Sequence, residues 1–110
     1  MAVPMLATTG TWDVDGRFVT QWRQHALSFD TAPEGRNWLL VVEGADHYLG
    51  NLICRLERKV APQHDALRMV NAVTVSFLDA WLRDAAPAQQ LLAERPLSTL
   101  SGDFANLEYR

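Results

Sequence analysis

Two short segments of the chain place chemically active side chains shortly after apolar runs. One apolar run ends at Gly10, and Asp13 follows three residues later. A second apolar run ends at Gly44, and His47 follows at the same distance. A buried strand that delivers a polar residue just past its C-terminal end is how open α/β sheets build active sites. The pattern therefore predicts that Asp13 and His47 are two members of a hydrolytic triad.

The chemistry of such a pair is proton transfer to and from a nucleophile. A hydroxyl group is a weak nucleophile at neutral pH, so an imidazole must accept its proton during attack and return it to the leaving group. His47 fits that role, and a carboxylate at Asp13 would orient and stabilise the imidazole. Asp15 is an alternative acid that spacing does not exclude. Asp46 adjoins His47 and is expected to form a turn.

Other residues near the pair have less specific patterns. Trp12, Tyr48 and Leu49 flank it, and the sequence leaves two roles open for them: lining an acyl or alkoxy pocket, or packing at the rim of the core. His25 and His64 are expected at the surface. Because the histidines are scattered, without a cysteine or an acid at ligand spacing, the sequence predicts no metal site and no cofactor.

The first half of the chain predicts two strands joined by a helix. Residues 3–8 read as a short strand, and residues 38–42 read as a second, fully buried strand. Between them, apolar residues recur at helical spacing over residues 16–28. The 34 positions from Asp13 to His47 leave room for the crossover that two parallel strands require.

The second half of the chain predicts helices. The longest periodic segment runs from Gln63 to Arg83, and a shorter helix is expected from Pro87 to Glu94, before Pro96. The tail, residues 97–110, fits either a brief strand or irregular coil. The predicted core face of the long helix consists of Leu67, Val70, Thr74, Phe77, Leu78 and Trp81.

Composition restricts the partners and the environment. The 110 residues are 48% hydrophobic and 21% charged, with no apolar run long enough to span a bilayer. The formal net charge is −3, and basic residues form no stripe, so nucleic acid is not an expected partner. The single cysteine, Cys54, excludes an internal disulfide and is expected to be a buried hydrophobic residue. These features predict a soluble α/β protein and leave its localisation open.

Four segments together resemble the C-terminal third of α/β-hydrolases, with the closest likeness to bacterial dienelactone-hydrolase-like and acetylhydrolase-like serine hydrolases. They are Pro4–Asp13, Glu43–His47, Thr74–Leu82 and Ala86–Leu92. The resemblance implies a catalytic triad in the chain order serine, acid, histidine, with Asp13 as the acid and His47 as the base. The implied substrate is a small carboxylic ester or lactone.

The chain departs from that family because it lacks the glycine-flanked serine elbow and the oxyanion loop, which lie upstream in the family. Complete enzymes of this type need roughly 200 to 300 residues. We therefore expect a C-terminal hydrolase segment that is inactive alone and associates through an exposed sheet edge. The alternative is a non-catalytic interaction or structural module. No strand-turn-helix context surrounds the available hydroxyls, which include Thr9, Ser28, Ser76, Ser98 and Ser101.

Overall fold

A computed structural model describes residues 3–53 and 60–110 as a mixed α/β fold around a three-stranded sheet. The strands are β1 (Met5–Gly10), β2 (Asn37–Val42) and β3 (Ala105–Tyr109), in the order β1-β2-β3. β1 and β2 run parallel, as predicted, and β3 pairs antiparallel with β2. The tail, for which the sequence allowed either a brief strand or irregular coil, therefore contains a strand. Cys54, with its predicted burial, lies outside the described residues.

Strand β2 is covered on both faces, and all six of its residues are buried. Alternate side chains of a strand point to opposite faces. Trp38, Leu40 and Val42 belong to the larger core, whereas Leu39 and Val41 belong to the smaller one. This burial confirms the interpretation of residues 38–42 as a doubly covered strand.

Strand β1 lies at the edge of the sheet and is only partly buried. Its bounds are Met5–Gly10 rather than residues 3–8, and Thr8 is exposed. Both faces of β1 are covered in part, since Leu6 packs against the larger core and Met5 and Ala7 pack against the smaller one. The shift of two residues brings the strand end closer to Asp13.

The predicted helix over residues 16–28 is also wrong in its first half. A 3-10 helix starts at Trp22 and ends at Ala26, and a single α-turn, α1 (Leu27–Asp30), follows. Before it, the Asp15 carboxylate accepts the backbone N–H groups of residues 17–19, and Gly16 has a φ of 73°. A short acidic side chain that captures local N–H groups competes with helical hydrogen bonding, so the helix starts late.

Three helices follow in the second half: α2 (His64–Leu82), α3 (Ala86–Glu94) and α4 (Leu97–Leu100). The first two confirm the predicted helices to within a residue, whereas α4 was not predicted. The most buried stripe of α2 is Ala66, Val73 and Ala80, while Leu78 is 45% exposed. The alanines of this stripe allow the backbone of α2 to lie close to neighbouring elements, and larger apolar side chains of α2 pack around the stripe. Over the described residues, no helix has the length and apolarity needed to cross a membrane.

Candidate functional site

The turns that follow β1 and β2 are cross-linked by backbone hydrogen bonds. Thr11 N–H donates to Val42 O at 3.1 Å, and Trp12 N–H donates to Ala45 O at 3.0 Å. In the reverse direction, the N–H of Gly44 donates to Thr11 Oγ1 at 2.7 Å. These bonds extend the parallel pairing past the strand ends. They fix the separation of the two segments that carry Asp13 and His47.

Gly10 is needed where the two turns meet. A Cβ at this position would overlap the carbonyl oxygen of Ala45 and lie 2.6 Å from its Cβ. Backbone atoms cannot move aside as the end of a flexible side chain can. The absence of a side chain at Gly10 therefore permits the close approach of the two loops.

Substituting Gly10 with alanine is expected to lower the free energy of unfolding by about 1 to 3 kcal/mol, because overpacking at a rigid contact forces the backbone apart. Urea denaturation measures the loss. Thr8→Ala is the control, since Thr8 lies two residues earlier in the same strand but is exposed. An equal loss in both variants would show that the contact with Ala45 is not the cause.

Asp13 and His47 form the hydrogen bond that the sequence predicts between them. His47 Nδ1 lies 3.0 Å from Asp13 Oδ1 and 3.1 Å from Oδ2. When the carboxylate is ionised and the imidazole is neutral, this contact requires the proton on Nδ1, because a carboxylate only accepts hydrogen bonds, and it leaves the lone pair on Nε2. Asp13 is buried, at 8% exposed, whereas 56% of the His47 side chain is exposed. A buried acid thus orients a solvent-facing imidazole.

His25 joins this pair, contrary to its expected surface position. Its Nε2 lies 3.0 Å from Asp13 Oδ1, and its ring centroid lies 5.4 Å from that of His47. His25 is placed by the 3-10 helix, in which it sits three residues after Trp22 and just before the buried Ala26. The spacing from Trp22 through His25 and Ala26 to Phe29 is that of one helix face, and this signal could have revealed the inward position of His25.

Asp15 is occupied by its own loop. Its Oδ1 accepts N–H groups from Val19, Arg17 and Phe18 at 2.8 to 2.9 Å. These backbone hydrogen bonds, that from Val19 foremost, lower the pKa of the Asp15 carboxyl group. Within the described part of the chain, no hydrogen bond or ion pair joins Asp15 to His47. The structure therefore brings Asp13, and not Asp15, to the imidazole.

The turn that carries His47 is held from two sides. Asp46 Oδ1 accepts the N–H groups of Tyr48 and Gly50, both at 3.0 Å, which confirms its predicted turn-forming role. Gln63 donates to the Gly44 carbonyl at 2.9 Å and accepts the Asp46 N–H at 3.0 Å. Gln63 was predicted only as the start of a helix, and local spacing gives no sign of this distant contact.

Two adjoining cavities open around the acid and the imidazole. The first, a cleft of about 500 Å³, is lined by Trp12 and Tyr48 together with Asp13, His25 and His47. The Tyr48 ring stands edge-on to the His47 ring, with a centroid separation of 4.9 Å. Trp12 is 65% exposed at the cleft's border. Two of the three pocket candidates therefore lie beside the pair.

The second cavity, of about 240 Å³, contains the third candidate, Leu49, and also Thr9. It shares Asp13, His25 and His47 with the first. Leu49 is buried, at 6% exposed, and belongs to the larger core. Its side chain therefore contributes to packing as well as to the cavity wall.

Comparison of the chain with protein-family models, with curated proteins and with solved structures gives no match. The geometry of Asp13, His25 and His47 and the sequence resemblance therefore remain as the indications of function.

Proposed function

We propose that this chain supplies the acid and the general base of a serine hydrolase that cleaves carboxylic esters or lactones. The observation that carries the proposal is the 3.0 Å contact between Asp13 Oδ1 and His47 Nδ1, made at the ends of two adjacent parallel strands. The large exposed fraction of His47 and the neighbouring cleft supply access for a nucleophile and a substrate.

The proposed reaction uses the two ring nitrogens of His47 differently. Nε2 accepts the proton of a serine hydroxyl as the serine oxygen attacks the acyl carbon, and the resulting imidazolium is stabilised by Asp13. The same proton passes to the leaving alkoxide as the acyl-enzyme forms. Water then attacks the acyl-enzyme and gives a proton to Nε2, which passes it to the serine oxygen as the bond to the acyl group breaks, releasing the carboxylic acid and restoring neutral His47. Asp13 stays ionised throughout.

The nucleophile is proposed to come from sequence upstream of this chain or from a partner chain. Three of the four serines lie in helices rather than in a strand-turn-helix elbow: Ser28 in α1, Ser76 in α2 and Ser98 in α4. Ser101 Oγ exchanges hydrogen bonds with the backbone of Ala105. In the family that the chain resembles, the serine lies on an elbow before the acid.

A fluorophosphonate probe tests the proposal, because it labels a serine only when the serine is activated. The chain alone, and the chain joined to the sequence encoded upstream of Met1, are treated with the probe and with a p-nitrophenyl ester. We expect labelling and ester hydrolysis in the extended form alone, and loss of both in the His47→Ala variant. His64→Ala is the matched control, because His64 is an exposed histidine at the start of α2.

Two outcomes would contradict the hydrolase proposal. One is an extended form that folds but neither takes the probe nor hydrolyses the ester. The other is labelling that persists undiminished in His47→Ala, since the imidazole would then have no part in activating the serine.

A non-catalytic interaction module is the second candidate, and the position of β1 favours it. The outer edge of β1 pairs with no described strand, and an unpaired edge is a template for strand addition. In this alternative, two copies of the chain associate through β1. Dimers that form with rising concentration in sedimentation velocity, together with an extended form that is catalytically inert, would favour this function over hydrolysis. A monomer at all concentrations would exclude self-association.

A further inference from the structure

Three side chains that bind metals well converge from separate segments of the chain. Asp13 follows β1, His25 lies in the 3-10 helix and His47 follows β2. One ligand atom from each residue lies within 4.8 Å of the others. We propose that Asp13, His25 and His47 bind a divalent cation of the zinc class.

The separations are close to those that a metal ion needs. With zinc–ligand bonds of about 2.0 to 2.2 Å, the ligand atoms of a tetrahedral site lie about 3.3 to 3.6 Å apart. The contacts of Asp13 Oδ1 with His25 Nε2 and with His47 Nδ1 are both 3.0 Å. The remaining nitrogen–nitrogen separation is at most 4.8 Å, and 56% of the His47 side chain is exposed. Small side-chain adjustments therefore complete three sides of the site.

The chemistry of the ligand set selects the class of metal. Imidazole ligands favour zinc, copper, nickel and iron over calcium and magnesium, which prefer an all-oxygen shell. Two imidazoles and one carboxylate leave a fourth position for water in a tetrahedral site. The set thus suits zinc or cobalt with one bound water.

Charge also favours a cation at this position. Asp13 is 8% exposed, and burial of a carboxylate costs free energy unless the charge is paired. Among the described residues, its ion-pair partners are His25 and His47, which carry charge only when protonated. A divalent ion would neutralise Asp13 while both imidazoles remain uncharged.

Thr9 supplies a second, independent observation. Its side chain is buried, at 7% exposed, and its Oγ1 has no hydrogen-bond partner among the described residues. Thr9 lines the 240 Å³ cavity that Asp13, His25 and His47 also line. Buried polar groups are normally hydrogen-bonded. A water on the metal would give this hydroxyl a partner within the cavity.

The metal-bound site and the hydrolytic pair use His47 in incompatible ways. To bind the ion, Nδ1 must present its lone pair, so it cannot also donate a proton to Asp13. The ion would therefore hold the imidazole away from the triad arrangement. The inference does not depend on the proposed function, because the ion binds to this chain whether or not a serine is supplied.

Isothermal titration of the chain with zinc chloride tests the inference. We expect one ion per chain, and an affinity at least about tenfold lower in each of Asp13→Asn, His25→Ala and His47→Ala; even the loss of a group behind a metal ligand costs about 10- to 100-fold. His64→Ala and Cys54→Ser are controls that remove the other histidine and the thiol. Both should bind zinc as the unmodified chain does.

Two measurements on the unmodified chain make the result independent of folding in the variants. Zinc should shift the imidazole NMR signals of His25 and His47 and leave that of His64 in place. Cobalt should give the visible absorption of a tetrahedral site. Absence of zinc binding at millimolar concentration, full binding by the His25→Ala variant, or loss of binding in Cys54→Ser would overturn the inference.

Discussion

Replacing Asp13 with asparagine is expected to lower the turnover of the extended hydrolase by about 10,000-fold, the effect of removing the acid in the best-studied triad. The neutral amide cannot stabilise the imidazolium that forms at His47, and its NH₂ group favours the wrong tautomer of the ring. Because this charge develops during the reaction, kcat should fall while KM changes little. Steady-state hydrolysis of a p-nitrophenyl ester measures both constants.

Asp15→Asn is the matched control for this substitution. Its side-chain carbonyl can still accept the N–H groups of residues 17–19, so the loop should persist. The variant removes a carboxylate two residues from Asp13 without touching the hydrogen bond to His47. A larger loss of turnover in Asp15→Asn than in Asp13→Asn would contradict the assignment of the acid.

Replacing Trp38 with alanine is expected to lower the free energy of unfolding by about 3 to 5 kcal/mol. Trp38 is 5% exposed, and its Nε1–H donates to the Leu92 carbonyl at 3.1 Å. Its ring also contacts those of Phe77, Trp81 and Tyr109, with centroid separations of 5.1 to 5.9 Å. The substitution leaves a cavity where β2, β3, α2 and α3 meet. Since the free energy of unfolding of a small domain is only about 5 to 15 kcal/mol, this substitution would remove much of it.

Trp12→Ala is the control for Trp38→Ala, because it removes the same side chain from a position that is 65% exposed. Its unfolding free energy, measured by urea denaturation followed by circular dichroism, should stay within about 0.5 kcal/mol of the unmodified chain. Similar losses in the two variants would contradict the view that this aromatic cluster is a major source of stability.

The sequence predicts the parts of the fold whose patterns are local. The continuous apolar run at residues 38–42 requires cover on both faces, and α2 has an uninterrupted helical period. The meeting of Asp13 with His47 is predictable as well, because the carboxyl ends of parallel strands lie at the same edge of a sheet.

One difference has a local cause, and the others come from contacts between distant segments. The side chain of Asp15 captures N–H groups that a helix would use, and periodicity does not register this competition. His25 reaches Asp13 because β1 ends at Gly10 beside the 3-10 helix, an arrangement fixed by packing. β3 forms by pairing with β2, with Leu40 opposite Leu107, and its five residues are too few to distinguish strand from coil by pattern alone.

Nitrogen NMR of the His47 ring reports on the hydrogen bond between Asp13 and His47, on which the hydrolase proposal rests. The chain is prepared with a chelator, under conditions in which an imidazole is neutral. We expect a proton on Nδ1 and an unprotonated Nε2, with the preference for this tautomer weakened or lost in the Asp13→Asn variant. A proton on Nε2 in the unmodified chain, or a tautomer that Asp13→Asn leaves unchanged, would contradict it.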